Sequence, residues 1–315
     1  MDPEELGRRL REGDRSAAPA ALNLIEDRSP GSREQSARLL AEVSPAALDG
    51  EAPAHLVGVT GPPGAGKSSL LSALVAHWRK ADRTIAVLAM DPSSKRSGGS
   101  LLGDRARIDH DPRDDGVLIR STAAGGRLGG LAAPTREASE TLAVAYDVVV
   151  IETVGVGQSE TDVEEVADTV AVVVQPGSGD TLQFLKAGIM EVPDVLVVTK
   201  ADLGQAALDA RRDLSNALGS LGAPETPVVS VSSKPPPQGI EELAAALDEH
   251  RSGLDLTASR LRARRLGALR ELVAERGEAA LRSLGGRREA ERVLVGQEPA
   301  LDVASLVASL EDRLG

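Results

Sequence analysis

Residues Val57–Ser69 read VGVTGPPGAGKSS: an apolar β-branched run, a turn rich in glycine and proline, and the first residues of a helix. Gly61, Gly66, Lys67 and Ser68 fit G-x-x-x-x-G-K-[ST], the pattern of a phosphate-binding P-loop. Gly61, Gly64 and Gly66 allow the backbone to wrap phosphate oxygens with its N–H groups inward. Pro62, Pro63 and Ala65 lie within that wrap, and Ser69 directly follows it. The helix that begins here aims the positive end of its dipole at the same anion. Lys67 supplies a point charge to the β- and γ-phosphates, and the Ser68 hydroxyl is placed to ligate Mg²⁺.

Outward from this stretch, short apolar runs alternate with helical periodicity. Strands are expected at 56–60, 84–90, 117–120, 147–152, 169–174, 194–199 and 227–231. Helices are expected near 67–80, 134–145, 179–191, 205–219 and 238–250. Runs such as DVVVIET and TVAVVVQ are apolar almost throughout, as strands covered on both faces are. The predicted fold is therefore α/β, a P-loop NTPase with a mostly parallel central sheet flanked by helices. Residues 1–50 read as a helical extension with helices starting at Pro3, over Ala17–Ile25 and over Ser32–Val43. Residues 51–252 form the nucleotide-binding domain. Residues 253–315 form a helical arm, in which Leu261, Leu269, Leu272, Val273, Ala280, Leu281 and Leu284 make one stripe ended by Gly285-Gly286. Shorter helices at 287–295 and 301–312 follow. Periodicity alone leaves open whether that stripe packs on its own domain or on a second subunit.

The chain has 315 residues, a net charge of −12 and 41% hydrophobic content, but only three aromatic residues, Trp78, Tyr146 and Phe184. Its core must be aliphatic. The acidic balance argues against nucleic acid or anionic membrane as partners. Without cysteine there are no disulfides or thiolate metal sites. His55, His77, His110 and His250 are scattered and read as surface or edge residues. No apolar run is long enough to span a bilayer, and a cytoplasmic protein is expected.

Four further segments say which nucleotide is bound and how it is used. Val198–Leu203, VTKADL, follows a buried run and fits [N/T]-K-x-D. Asp202 can accept two hydrogen bonds from the guanine N1–H and amino group, which adenine does not offer. Lys200 can lay its stem along the base, and Thr199, where Asn is usual, can tie the loop to the P-loop. Val231–Lys234 suits the last base-contacting loop, with Ser232, Ser233 and Lys234 near the guanine O6. In VVVIETVGVGQSE, Glu152 ends a strand where an acid can hold metal-bound water, and Gly155 can meet the γ-phosphate through its N–H. In Met90–Ile108, Asp91 ends a strand read as neighbouring the P-loop strand, and Asp104 is a second candidate metal-side acid. The catalytic candidates are Lys67, Asp91, Asp104 and Glu152; the metal candidates are Ser68, Asp91, Asp104 and Glu152.

DPSSKRSGGSLLGDRARI, GRLGG (Gly126–Gly130), ETVGVGQSE and the GSGDTLQFLKAGIME–TKAD run together resemble the MeaB/ArgK/MMAA GTPases. ALNLIED and VLVGQEPALDVASLV extend the resemblance over nearly the whole chain. That resemblance implies a GTPase chaperone of adenosylcobalamin-dependent acyl-CoA mutases such as methylmalonyl-CoA mutase, with GTP/GDP and Mg²⁺ bound. It implies switch loops after Asp91 and Glu152, a further switch at Gly177–Gly188 facing the mutase, and a C-terminal dimerisation arm making a homodimer.

The resulting expectation is slow intrinsic hydrolysis by in-line attack of water, since no arginine finger is assignable. The alternatives are a P-loop kinase acting on a small molecule or protein, a nickel-type metal-insertion GTPase and a nucleotide-binding scaffold that does not hydrolyse. The second would use the Cys/His clusters that this chain lacks.

Overall fold

The computed structural model describes residues 2–27, 29, 31–91, 108–123, 133–153, 163–177 and 193–314. Seven parallel strands form one sheet: β1 (His55–Thr60), β2 (Ile85–Asp91), β3 (Val117–Ala123), β4 (Val148–Glu152), β5 (Thr169–Val174), β6 (Val195–Val198) and β7 (Val228–Ser230), in the order β3-β2-β4-β1-β5-β6-β7. The neighbours of β1 are thus β4 and β5. The expectation that the Asp91 strand adjoins the P-loop strand is corrected: β4 lies between them. Glu152 is in register with Val59 on one side and Ala89 on the other.

The continuous apolar runs follow from cover on both faces. Val57, Val59, Val148, Val150, Ala171, Val173, Val195 and Val197 share one core with Leu70, Leu74 and Trp78. Ile151, Val170, Val172, Val174, Leu196 and Val198 share another with Val163, Leu214 and Leu218. Alternate residues of β4, β5 and β6 feed opposite cores, and the polar residues of the central strands, His55, Thr60, Glu152 and Thr169, fall at strand ends. Each fully buried side chain of this size contributes about 1.5–3 kcal/mol, which lets an aliphatic chain fold with few aromatics.

Contacts divide the chain into two compact units. One holds the sheet and comprises residues 55–131 and 146–254. Its described helices are α5 (Lys67–Lys80), α7 (Gln205–Ser220) and α8 (Ile240–Ser252). Leu70, Leu71, Leu74, Val75 and Trp78 bury one face of α5, the face that follows from the spacing of its apolar residues. At the opposite end of β1 from the P-loop, His55 is fully buried rather than at the surface. Its Nε2 lies 2.8 Å from Thr169 Oγ1, which lies 2.9 Å from His250 Nδ1. Burial pushes the His55 imidazole below its usual range.

The other unit is helical and comprises residues 1–54, 132–145 and 255–315. It contains α1 (Pro3–Arg11), α2 (Ala18–Glu26), α3 (Ser32–Glu42), α4 (Pro45–Leu48), α6 (Ala133–Ala143), α9 (Leu256–Arg276), α10 (Glu278–Ser283), α11 (Arg287–Val295) and α12 (Val303–Glu311). The Asp255 and Asp302 carboxylates cap α9 and α12 by accepting from Ala258 N and Ser305 N. The helix expected to run to Gly285 breaks earlier, at Gly277, whose φ of +74° a helix does not continue. Leu269, Leu272, Ala280, Leu281 and Leu284 of the apolar stripe pack against Leu294, Leu306 and Leu310 of the same unit. Arg260 and Arg264 also point inward. Arg260 donates to the Ala52 and Ala54 carbonyls, and Arg264 forms a bidentate pair with Glu51.

Glu137 and Glu140 of α6 lie near Glu271 and Asp302 around a small cavity in this unit. Burial, with the neighbouring carboxylates adding to it, raises both to about 7 from 4.5. The folded unit therefore holds protons that the unfolded chain releases above about pH 4.5. Their contribution to stability is largest at low pH and is lost as pH rises through 7. Glu140→Gln should stabilise the protein by about 1–3 kcal/mol at pH 8 and by almost nothing at pH 4. Thermal or denaturant unfolding at the two pH values checks this; an equal effect at both would contradict it.

Candidate nucleotide-binding site

The carboxyl ends of the parallel strands carry the site, as in open α/β sheets generally. The loop after β1 passes so close to β5 that a Cβ on Gly61 would come within 2.1 Å of Val173 O, and Gly61 has a φ of +142°. Gly66, with a φ of +94°, turns the chain into α5, and Leu70 N donates to Gly66 O to open the helix. Ala65 and Lys67 are buried, whereas Pro63, Gly64 and Ser69 are exposed. Lys67 folds back across the loop: its Nζ donates to Gly61 O at 2.6 Å and Pro62 O at 3.3 Å. The ammonium is thus held in the middle of the loop, where it can meet phosphate oxygens.

Ser68 Oγ lies 3.4 Å from Glu152 Oε1, so the first turn of α5 and the end of β4 converge. Glu152 is 7% exposed. Next to it, Thr153 Oγ1 donates to Thr60 Oγ1 at 2.8 Å and Thr153 N donates to Val59 O at 3.0 Å, pinning the end of β4 to β1. A hydroxyl and a carboxylate beside a phosphate loop are hard oxygen donors of the kind Mg²⁺ takes, so these residues fit that ion. Asp91 ends β2, two strands from β1; only its backbone is described. Asp104, Gly155 and the Gly177–Gly188 segment beyond Gly177 lie outside the described residues.

The loops after β6 and β7 lie on the other side of β1 from Glu152. Thr199 Oγ1 is 2.6 Å from Ala65 O, donating to it, and 3.0 Å from Val174 O. This hydroxyl is 3% exposed at the residue level and bonds the T-K-A-D segment directly to the P-loop. Lys200 has a φ of +55° and its Nζ donates to Gln175 Oε1. Ala201 N donates to Val231 O at 3.0 Å, joining this segment to the loop after β7. Ser232 Oγ donates to Asp202 Oδ1 at 3.0 Å, and Lys234 Nζ lies 2.6 Å from Asp202 Oδ2. The Lys234 ammonium, with Ser232 behind it, holds the Asp202 carboxyl below its usual range. An ionised carboxylate offers acceptors only, which suits a base edge bearing two donors. Ser233 follows in the same loop, half-buried.

Gln175 did not stand out as a base-side residue in the sequence. It lies 25 residues from Lys200, and only the pairing of β5 with β6 brings the two together.

A model of the family described as methylmalonyl Co-A mutase-associated GTPase MeaB matches residues 18–284. The chain belongs to the MeaB family. A Pyrococcus abyssi protein named as a GTPase is 41% identical to this MeaB-family chain over 278 residues, 85% of this chain and 82% of its own. A Caenorhabditis elegans protein named as the mitochondrial methylmalonic aciduria type A homologue is 41% identical over 211 residues, 63% of this chain and 52% of its own. A crystal structure of a LAO/AO transport system kinase superposes with a TM-score of 0.66 at 27% identity, over 98% of this chain and 96% of its own. The protein is accordingly a GTPase that binds guanine nucleotide. Among the described residues, no helix of this MeaB-family chain is long and apolar enough to cross a membrane.

Proposed function

We propose that this protein binds GTP with Mg²⁺, hydrolyses it to GDP and phosphate, and uses the change to gate cofactor loading or protection of an adenosylcobalamin-dependent acyl-CoA mutase. The observation that carries the nucleotide part is the hydrogen bond from Thr199 Oγ1 to Ala65 O. It ties the base-reading segment to the phosphate loop, so one ligand can engage both. Lys67 and the N-terminus of α5 counter the charge on the β- and γ-phosphates. Gly61, Pro62, Pro63, Gly64, Ala65, Gly66, Ser68 and Ser69 wrap the phosphates. Ser68 and Glu152 hold Mg²⁺, with Asp91 and Asp104 as further acids, and the ion supplies charge neutralisation at the transferred phosphoryl group. Glu152 can also orient the attacking water through its carboxylate. Asp202 reads the base, and Lys200 stacks along it. Ser232 and Ser233 complete the base loop, on which Lys234 stands beside the Asp202 carboxylate.

The mutase part is supported by the family's description and by the name of the C. elegans relative. We further propose a cytoplasmic homodimer built on residues 253–315. Because Leu269, Leu272 and Leu281 are buried within one chain, the dimer would use other surfaces of that arm.

Phosphate release from GTP, measured with and without mutase, tests the proposal. Stimulation by mutase is the expected result, and unchanged turnover with every candidate mutase would contradict the client role. Gln183→Ala with Lys186→Ala, in the segment that the resemblance turns toward the mutase, should spare intrinsic turnover and lower stimulated turnover several-fold. Equal loss of both would contradict a partner-facing role. A kinase would instead pass the γ-phosphoryl group to an acceptor, so inorganic phosphate release without acceptor separates the two.

A further inference from the structure

The loop Ser232–Gln238 is closed at its base by two backbone hydrogen bonds, Ser232 N to Gln238 O at 3.0 Å and Gln238 N to Ser232 O at 2.9 Å. Lys234 stands on that closed loop, and its N–H donates to Ser232 Oγ at 3.3 Å. The two oxygens of Asp202 have unlike partners. Ser232, 2% exposed, serves Oδ1 from the covered side. The Lys234 side chain, 76% exposed, serves Oδ2 from the open side. A guanine presenting N1–H and its amino group to both oxygens must approach from that open side. The covered side already belongs to the protein.

We propose that the Lys234 ammonium competes with guanine for Asp202, so that a guanine nucleotide binds by displacing it. This inference rests on Asp202 being the base reader. The loop is held by its own backbone bonds, so Lys234 can swing out without unfolding it. The ammonium keeps the carboxylate oriented between ligands. It also lowers affinity and shortens retention, since it stands ready to recapture Oδ2 as the base leaves. An exposed ion pair has a small free energy, so the effect is a tuning of affinity of about two- to five-fold.

The test is calorimetric titration of GDP in magnesium buffer. Lys234→Met keeps most of the aliphatic stem and removes the charge. It should bind GDP about two- to five-fold tighter than the parent. That gain should shrink at high salt, where the exposed pair is already screened. Lys234→Arg, which keeps a cation on the carboxylate, should bind like the parent. In an Asp202→Asn background titrated with XDP, Lys234→Met should give no gain, because a neutral amide does not hold the ammonium. Weaker or unchanged GDP binding by Lys234→Met would overturn the inference and make Lys234 a support for the base. A gain that persists in the Asp202→Asn background would also overturn it. Failure of the parent to bind GDP would remove the base-reading assignment itself, a distinguishable outcome.

Discussion

Lys67→Ala is expected to lower GTP hydrolysis by a factor of about 10²–10³, the loss seen when one preorganised donor to a developing charge is removed. The geometry explains the size. Nζ is held between the Gly61 and Pro62 carbonyls inside a loop whose backbone is otherwise committed to wrapping anions. Lys67 is 9% exposed, and water has little access to replace its charge. Alanine at the first position of α5 favours the helix intrinsically, so the fold should survive. Phosphate release at saturating GTP, together with an unchanged unfolding temperature, checks the expectation. Retained turnover would remove Lys67 from the phosphate site.

Asp202→Asn should weaken GTP binding by about 10²-fold or more and improve XTP binding. Two hydrogen bonds to a charged acceptor are at stake, each contributing about 1.5–3 kcal/mol, and each 1.4 kcal/mol is a factor of ten. The amide presents a donor where guanine also has one. Xanthine carries a carbonyl at the position of the amino group and accepts from that donor. Asp202 also holds Lys234 and Ser232, so the variant loosens the base loop, and the test must compare nucleotides rather than read one affinity. Competition titrations with GTP and XTP give the ratio; an unchanged ratio would remove Asp202 from the base site.

The inner strands were legible because each is a nearly continuous apolar run, as a doubly covered sheet requires, whereas β3 at the edge carries Arg120, Ser121 and Thr122. The β3-β2-β4-β1-β5-β6-β7 order was not. β4 enters between β1 and β2 through pairings distant in sequence, and no local pattern encodes them. The same limit hid Gln175, which meets Lys200 only across β5 and β6. His55 looked like a scattered surface histidine, yet it is buried because its partners, Thr169 and His250, come from other elements. In the helical arm the apolar stripe was visible, but the cover over it was not. Arg260 and Arg264 sit on the inward side of α9 because Glu51 and the carbonyls of Ala52 and Ala54 satisfy them there. The P-loop and the T-K-A-D segment were legible for a different reason: their chemistry is compressed into a few adjacent residues. Their direct bond through Thr199 is a tertiary fact.

The central claim is that one ligand is held at both ends, its phosphates by the loop after β1 and its base by the loops after β6 and β7. Calorimetric titration with GTP and ATP, side by side in magnesium buffer, tests it most directly. The account predicts tight GTP binding with a preference over ATP of about 10²-fold or more. Equal affinity for the two, or no binding of either, would contradict it.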